Sequence, residues 1–229
     1  MEETRVRQIR SQVEEALSSP YAKQVFLQVF SFLGGMLCAR GLVFGKFSPF
    51  GVALAASVPR GGLWAAVLGA SLGYLLPSAA YIPVRYVGAL LAVAAIRWSL
   101  SELKGVNSHP LFAPVVIFLP LLLTGMTLVF ISGSLSYTAA LYVAEAFLGA
   151  GCAYFLRRAA FLLQGLTGDG KARFQGYLDN GDIAALTVSL GLVMLSFSQI
   201  TLQGISLGRI LMVLVVLVCA RLGGIGGGA

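Results

Sequence analysis

Long apolar runs follow one another along almost the whole chain, separated only by short polar or proline-containing turns. About 20 helical residues cross a hydrocarbon core of about 30 Å, and several of the runs have about that length. Hydrophobic residues make up 58% of the 229 residues and charged residues 11%, against roughly 45–50% and about 25% in soluble domains. Because a soluble fold of this size cannot hide so much apolar surface, the sequence predicts an all-α, polytopic integral membrane helix bundle.

We predict about eight transmembrane helices from these runs. They occupy residues 25–44, 47–58, 61–80, 81–96, 111–131, 137–156, 183–202 and 205–220. The run 47–58 is the weak one, because about twelve helical residues rise only about 18 Å. It either crosses the bilayer as a short helix or forms a re-entrant hairpin.

The positions of the basic residues favour a crossing by the run 47–58. With eight crossings and a cytoplasmic N-terminus, twelve of the 16 lysines and arginines fall on the cytoplasmic side. If that run does not cross, every later run has the opposite orientation, and only six of the lysines and arginines fall on the cytoplasmic side. Because lysine and arginine are enriched in cytoplasmic loops, we predict a multi-pass cell-membrane protein with both termini cytoplasmic.

Three regions differ in composition. Residues 1–24 form a charged leader whose apolar side chains have near-helical spacing, which predicts an amphipathic helix on the membrane surface or a solvated helix. Residues 25–221 form the transmembrane domain. Residues 222–229 are glycine-rich; we expect the natural protein to continue beyond Ala229, the alternative being a frayed native end.

Glu145 lies near the middle of the run 137–156, where an isolated charge is expensive. A charged side chain at the bilayer centre costs about 2.5–3.5 kcal/mol on insertion scales. We therefore predict an intramembrane ion pair between Glu145 and either Arg85 or Arg209. Such a pair is either a proton or ligand site or a device that fixes helix register, and a single carboxylate favours the structural role.

Glycines inside the apolar runs predict close helix packing. Gly69 and Gly73 lie four residues apart in one run, and Gly149 and Gly151 lie in another. Because small residues let membrane helices approach closely, these four positions are predicted packing sites and favour self-association.

The sequence contains no recognisable reaction centre. It has one histidine and three dispersed cysteines, with no metal-ligand spacing and no nucleophile and base set. The net charge of +7 comes from basic residues scattered between apolar runs, which favours a lipid bilayer over nucleic acid as the partner. We predict no catalytic residue, metal or cofactor in this chain.

Several stretches resemble a known family. They are GGMLCARGLVFGKFSPFGVALAAS from Gly34 to Ser57, which contains Ser48-Pro49-Phe50-Gly51, then GASLGYLL from Gly69 to Leu76, and the glycine-rich end after Arg221. Together with the basic leader, they resemble the N-terminal membrane domain of stage II sporulation protein E over nearly the whole chain.

The resemblance implies a specific biology. Members of that family carry somewhat more membrane helices than the eight predicted for this chain, then a cytoplasmic regulatory region and a manganese-dependent serine phosphatase domain of the PP2C type. They act at the asymmetric septum of endospore-forming bacteria, interact with the division machinery and dephosphorylate an anti-anti-sigma factor, which activates the first forespore sigma factor. No phosphatase residue has a counterpart in this chain, so the resemblance implies that manganese binds in a domain beyond Ala229.

Two functions from different classes remain open on the sequence. The first is a membrane-anchoring, localisation and oligomerisation domain of such a phosphatase. The second is a small-solute transporter or its substrate-binding membrane component, which would need polar groups converging near the bilayer centre. Glu145 with an arginine is the candidate for such a site.

Overall fold

The computed structural model describes residues 20–43, 46–76, 83–103, 109–133, 137–167, 179–198, 201–202 and 205–223. Within these residues each predicted apolar run contains a helix. The helices are α1 (Pro20–Cys38), α2 (Phe50–Ser57), α3 (Leu63–Leu75), α4 (Pro83–Ser99), α5 (Phe112–Ser132), α6 (Tyr137–Thr167), α7 (Asn180–Phe197) and α8 (Leu207–Gly223). The predicted helical fold is confirmed. The exceptions are two 3-10 turns, Arg60–Gly62 and Leu100–Glu102, and an antiparallel pair of two-residue strands, β1 (Thr201–Leu202) and β2 (Ile205–Ser206).

The two predicted terminal regions lie mostly outside the described residues. Of the leader 1–24, the structure describes only the end, where α1 begins at Pro20. Of the glycine-rich segment 222–229, it describes only the end of α8.

Length and hydropathy together set four of the described helices apart. Four described segments are long and apolar enough to cross a membrane: Val84–Glu102, Phe112–Ser132, Tyr137–Leu163 and Asn180–Phe197. In contrast, α2 has 8 residues and α3 has 13. The described helices therefore have membrane character, but length and composition alone support four crossings and not eight.

The helices α1 and α3 pack in parallel. At the start of α3, Gly62 lies against the Ser31 side chain; further along, a Cβ at Gly73 would lie 2.5 Å from the carbonyl oxygen of Met36. Because residue numbers rise together along both helices, the chain must return between them.

The short helix α2 makes this return. Just before it, Ser48 Oγ donates a hydrogen bond to the carbonyl oxygen of Ala39 at the end of α1 (2.6 Å). Just after it, Gly62 lies beside Ser31. Ser31 and Ala39 are separated by about 12 Å of helical rise, which is also about the length of the eight residues of α2. The run 47–58 is thus a short helix that runs opposite to α1.

The helix α4 runs in the same direction as α2. Near the start of both, the backbone N–H of Ser48 donates to the hydroxyl oxygen of Tyr86 (2.9 Å). Near the end of both, Arg97 Nη1 donates to the carbonyl oxygen of Ala55 (2.6 Å). Like α2, α4 is therefore antiparallel to α1 and α3.

The helices α5 and α6 form an antiparallel pair. The guanidinium of Arg157, late in α6, lies 5.5 Å from the ring centroid of Phe112 at the start of α5. Gly125, late in α5, lies against Tyr142 near the start of α6, where a Cβ on the glycine would be 2.9 Å from the tyrosine Cβ.

The last two described helices continue the alternation. The start of α7 is tied to α6 by Arg158 Nε, which donates to Asp182 Oδ1 (2.7 Å). The end of α7 reaches the α1–α2 connection, where a Cβ at Gly41 would lie 3.2 Å from Ser196 Oγ. The start of α8 lies beside the end of α7, where Gly208 contacts the backbone of Met194. The antiparallel strands β1 and β2 reverse the chain between the two helices.

One end of the bundle gathers three arginines, Arg60, Arg97 and Arg157, around a single cavity. The hydroxyl of Ser57, the last residue of α2, also lies there, within hydrogen-bond distance of the carbonyl oxygens of Ala53 (2.6 Å) and Ala153 (2.9 Å). We call this the arginine end.

The helix α6 is longer than the predicted run 137–156, because it continues to Thr167. The basic pair Arg157 and Arg158 does not end it. Arg157 lies over the rings of Phe112 and Phe161, at 5.5 and 5.6 Å, and Arg158 is bonded to Asp182. These contacts stabilise both arginines within α6, so the helix continues past them.

Alanines are frequent in the core of the described bundle, and many large apolar side chains point outward. Ala53, Ala66 and Ala89 are completely buried, whereas Phe130 and Ile131 are 76% and 83% exposed. So many exposed large apolar side chains suit a lipid environment, in which close helix approach depends on small residues.

Candidate functional site

Arg85 on α4 and Glu145 on α6 form a salt bridge inside the bundle. Arg85 Nη2 lies 2.6 Å from Glu145 Oε2, and the two side chains are 4% and 1% exposed. The guanidinium also donates to the carbonyl oxygen of Leu121 (3.3 Å) and lies 4.3 Å from the ring centroid of Tyr142. Because both charges are removed from solvent, each depends on these protein groups for its stabilisation.

Arg209, the other predicted partner, lies elsewhere. It is exposed on the first turn of α8, whereas Glu145 is buried. The described structure brings Arg85, and not Arg209, to this carboxylate.

A chain of hydrogen bonds continues from the second oxygen of Glu145. The Tyr86 hydroxyl donates to Glu145 Oε1 (2.6 Å) and accepts the backbone N–H of Ser48 (2.9 Å). The carbonyl oxygen of Ser48 accepts from the Tyr74 hydroxyl (2.7 Å), and the rings of Tyr74 and Tyr86 stack with their centroids 5.1 Å apart. We call Arg85, Glu145, Tyr86, Ser48 and Tyr74 the polar network.

The polar network supplies partners to backbone that is not helical. Ser48 is completely buried in the α1–α2 connection, where its N–H and carbonyl groups have no helical partners. An unpaired backbone group in an apolar interior is costly, and membrane proteins tolerate such backbone only where protein or water satisfies it. Tyr86, Tyr74 and the Ser48 hydroxyl provide that satisfaction, so the network holds the connection inside the bundle.

The network lies at an intermediate depth along the two longest helices. Leu121, which Arg85 contacts, is about 14 Å of helical rise from the start of α5 and about 16 Å from its end. Glu145 is about 18 Å from Arg157 at the arginine end. At this level α1 and α3 end and α4 begins, while α5 and α6 continue.

The network contains few groups that could take part in chemistry. Its one carboxylate is bonded through both oxygens, and it contains no histidine or cysteine. Among the described residues no group of three or more His, Cys, Asp or Glu side chains could hold a metal ion. Arg85 Nε is buried without a hydrogen-bond partner in the described part of the chain. The bonds of the network join α4 to α6 and to the α1–α2 connection.

Comparison with protein families identifies the chain. The family described as SpoIIE, N-terminal domain, matches residues 1–229. The chain belongs to this family. Comparison with curated proteins and with solved structures found no match. The resemblance carried by the stretches 34–57 and 69–76 is therefore confirmed.

The four glycines predicted as packing sites in this SpoIIE N-terminal domain differ in their surroundings. A Cβ at Gly69 would clash with the carbonyl oxygen of Phe32, and a Cβ at Gly73 would lie 2.5 Å from the carbonyl oxygen of Met36, also in α1. A Cβ at Gly149 would lie 2.9 Å from Leu121 Cδ1. At Gly151 a Cβ would meet no atom within 4 Å, so this glycine marks no close contact within the described protomer.

Three members of the network in this SpoIIE domain, Tyr86, Tyr74 and Ser48, were not predicted as site residues. A carboxylate accepts several hydrogen bonds. The sequence therefore indicates that Glu145 needs a second donor besides an arginine. That need does not select one of eight tyrosines, because the choice depends on which helices pack together.

Proposed function

We propose that this domain anchors, localises and oligomerises a sporulation serine phosphatase of the SpoIIE family in the cell membrane. The observation that carries the proposal is a bundle of alternating helices with its polar network buried and its large apolar side chains outward, in a chain of this family. Such a bundle presents little chemistry of its own and a large surface for lipid and for other helices.

The catalytic part of the proposal concerns the full-length protein. The phosphatase reaction, its manganese and the dephosphorylation of an anti-anti-sigma factor, which activates the first forespore sigma factor, are assigned to another domain. The membrane domain would hold that enzyme at the asymmetric septum, where it would meet the division machinery.

A fluorescent fusion tests the localisation. The domain fused to a fluorescent protein, expressed in a sporulating endospore-forming bacterium, should concentrate at the asymmetric septum. A single-pass membrane anchor with the same fluorescent protein is the control for membrane crowding at septa. Uniform fluorescence of the fusion, equal to that of the control, would overturn the localisation.

The proposed topology has eight crossings with both termini cytoplasmic. It is supported by the parallel packing of α1 and α3, with α2 as the return, and by the gathering of arginines at one end of the bundle. Because positive residues are enriched on the cytoplasmic side, the arginine end would face the cytoplasm. The short α2 would cross with local thinning of the bilayer.

Cysteine labelling tests this topology. The native residues Cys38, Cys152 and Cys219 are replaced by alanine, and single cysteines are introduced as Lys46→Cys or Arg60→Cys. An impermeant thiol reagent applied to intact cells should label position 46 and should reach position 60 only after permeabilisation. Labelling of both from one side would contradict eight crossings.

Self-association is supported by the apolar outer surface and by Gly151, which has open space beside it. Two differently tagged copies should co-purify from detergent-solubilised membranes, and co-purification should weaken when Gly151 is replaced by leucine. Recovery of monomers only, at concentrations near those in the membrane, would contradict oligomerisation.

The transporter alternative finds no specific support in the geometry. A solute site near the bilayer centre needs polar groups that face a cavity, whereas both oxygens of Glu145 are bonded to Arg85 and Tyr86. A thermal shift with a vitamin or amino acid, abolished by Glu145→Ala, would favour transport over anchoring.

A further inference from the structure

A cavity of about 250 Å³ opens at the arginine end. Arg97 and Arg157 belong to its buried wall, being 8% and 7% exposed, while Arg60 and Phe161 stand at its exposed rim. The cavity is smaller than the roughly 300–1,000 Å³ of drug-sized ligand sites. Its size therefore suits a small group.

The two buried arginines are held in place by α2, α5 and α6. Arg97 Nη1 donates to the carbonyl oxygen of Ala55 near the end of α2 (2.6 Å), where the helix dipole favours a cation. Arg157 lies over the rings of Phe112 and Phe161. A guanidinium carries five N–H donors in a planar fork. The carbonyl oxygen of Ala55 accepts from only one nitrogen of Arg97, so other N–H groups of Arg97 can bind a second partner.

The described residues bring charge of one sign to this cavity. Three arginines line it, and the other described residues of its wall are uncharged. Burying cations beside one another is unfavourable because they repel each other. An anion placed between them adds an attraction to each cation. Arginine forks match phosphate oxygens in geometry as well as charge, so the chemistry that fits this wall is a phosphate group.

The surroundings point to a lipid as the source of the phosphate. The exposed ring of Phe161 gives the rim an apolar side, and the indoles of Trp64 and Trp98, near the same end, are also exposed. Tryptophan is enriched where membranes meet water, so the cavity lies at the depth of lipid headgroups. Basic pockets between membrane helices on the cytoplasmic side bind anionic headgroups.

We propose that the cavity lined by Arg60, Arg97 and Arg157 binds the phosphate of an anionic phospholipid headgroup. The phosphate enters between the three guanidinium groups, and the acyl chains lie along the apolar outer surface beside Phe161. The site is separate from the polar network and independent of where the domain localises in the cell.

Lipid binding by the purified domain tests the proposal. Native mass spectrometry in a nonionic detergent would compare phosphatidylglycerol with phosphatidylcholine for the wild type and for Arg97→Gln, Arg157→Gln and Arg209→Gln. The wild type should bind phosphatidylglycerol at least about tenfold more tightly than phosphatidylcholine, and each buried-arginine variant should lose most of that preference. Arg209→Gln removes the same charge from an exposed position outside the cavity and should bind as the wild type does.

A rim variant keeps the test decisive if a buried variant fails to fold. Arg60 is exposed, so Arg60→Gln should remain monodisperse and should weaken phosphatidylglycerol binding about three- to fivefold. Equal binding by Arg60→Gln, Arg209→Gln and the wild type would overturn the site, as would equal binding of the two lipids by the wild type.

Soluble phosphate distinguishes the two sources of the ligand. Inorganic phosphate and glycerol phosphate, at millimolar concentration, should raise the unfolding temperature much less than phosphatidylglycerol does. If they raise it as much, and the rise disappears in Arg97→Gln, a free phosphate is the ligand and the lipid proposal is overturned.

Discussion

The hydroxyl of Tyr86 donates to Glu145 Oε1 at 2.6 Å, across 59 residues of sequence. The same hydroxyl oxygen accepts the backbone N–H of Ser48. One phenol therefore satisfies a buried carboxylate on α6 and a backbone donor of the α1–α2 connection. The bundle depends on it at two places.

Tyr86→Phe should lower stability by about 1–3 kcal/mol, because a buried donor and a buried acceptor each lose a partner while the ring is kept. The stack on Tyr74 should survive the change. The midpoint of thermal unfolding in detergent measures the loss. Tyr137→Phe removes the same hydroxyl at an exposed position and should change little. Equal midpoints for the two variants would contradict the role of Tyr86.

Glu145→Gln should cost about 3–5 kcal/mol, since it leaves the Arg85 cation buried without a counter-charge. The double variant Arg85→Met with Glu145→Gln removes both charges and keeps an oxygen for Tyr86, so it should recover part of the loss. A double-mutant cycle by chemical unfolding gives the coupling. Glu102→Gln, at an exposed residue, is the matched control. If the destabilisations of the two single variants simply add up in the double variant, Arg85 and Glu145 do not stabilise each other.

The longest apolar run, at 111–131, could be located from sequence because no charged residue interrupts it. The run predicted at 111–131 is α5 at Phe112–Ser132, which ends at Gly133 with a φ of +68°, a conformation that glycine adopts without strain. The end of α6 could not be located in this way. Arg157 and Arg158 resemble a terminal basic pair, and only contacts to Phe112 and Asp182, far along the chain, let the helix continue.

The site was predictable only in part, for a similar reason. A carboxylate in an apolar run requires a cation, so sequence narrows the partner of Glu145 to Arg85 or Arg209. The choice between them, and the participation of Ser48 and Tyr86, depends on which helices touch. Neutral polar residues carry no comparable requirement, because a serine or tyrosine is tolerated in many positions of a membrane helix.

Ser57→Ala should lower stability by about 0.5–1.5 kcal/mol. Its hydroxyl lies between the carbonyl oxygens of Ala53 on α2 (2.6 Å) and Ala153 on α6 (2.9 Å), and the substitution removes the hydrogen bond that they share. Ser189→Ala is the contrasting variant. The hydroxyl oxygen of Ser189 is buried without a hydrogen-bond partner in the described residues, so its removal should be neutral or stabilising. Unfolding midpoints measured side by side check the order, and a larger loss for Ser189→Ala would contradict it.

Gly69→Ala should destabilise the domain by about 1–3 kcal/mol, the usual cost of overpacking. The added methyl group would meet the carbonyl oxygen of Phe32, and a backbone atom of α1 cannot move aside as a flexible side chain can. The whole interface between α1 and α3 must therefore open.

Gly151→Ala is the matched control, because the same methyl group there meets no atom of the described residues within 4 Å. Alanine is a better helix former than glycine by about 1 kcal/mol, so this variant should be neutral or more stable in the dispersed protomer. Thermal unfolding of both variants in detergent separates the two effects. If Gly69→Ala were as stable as Gly151→Ala, α1 and α3 would not be in the close parallel contact on which the eight-helix alternation depends.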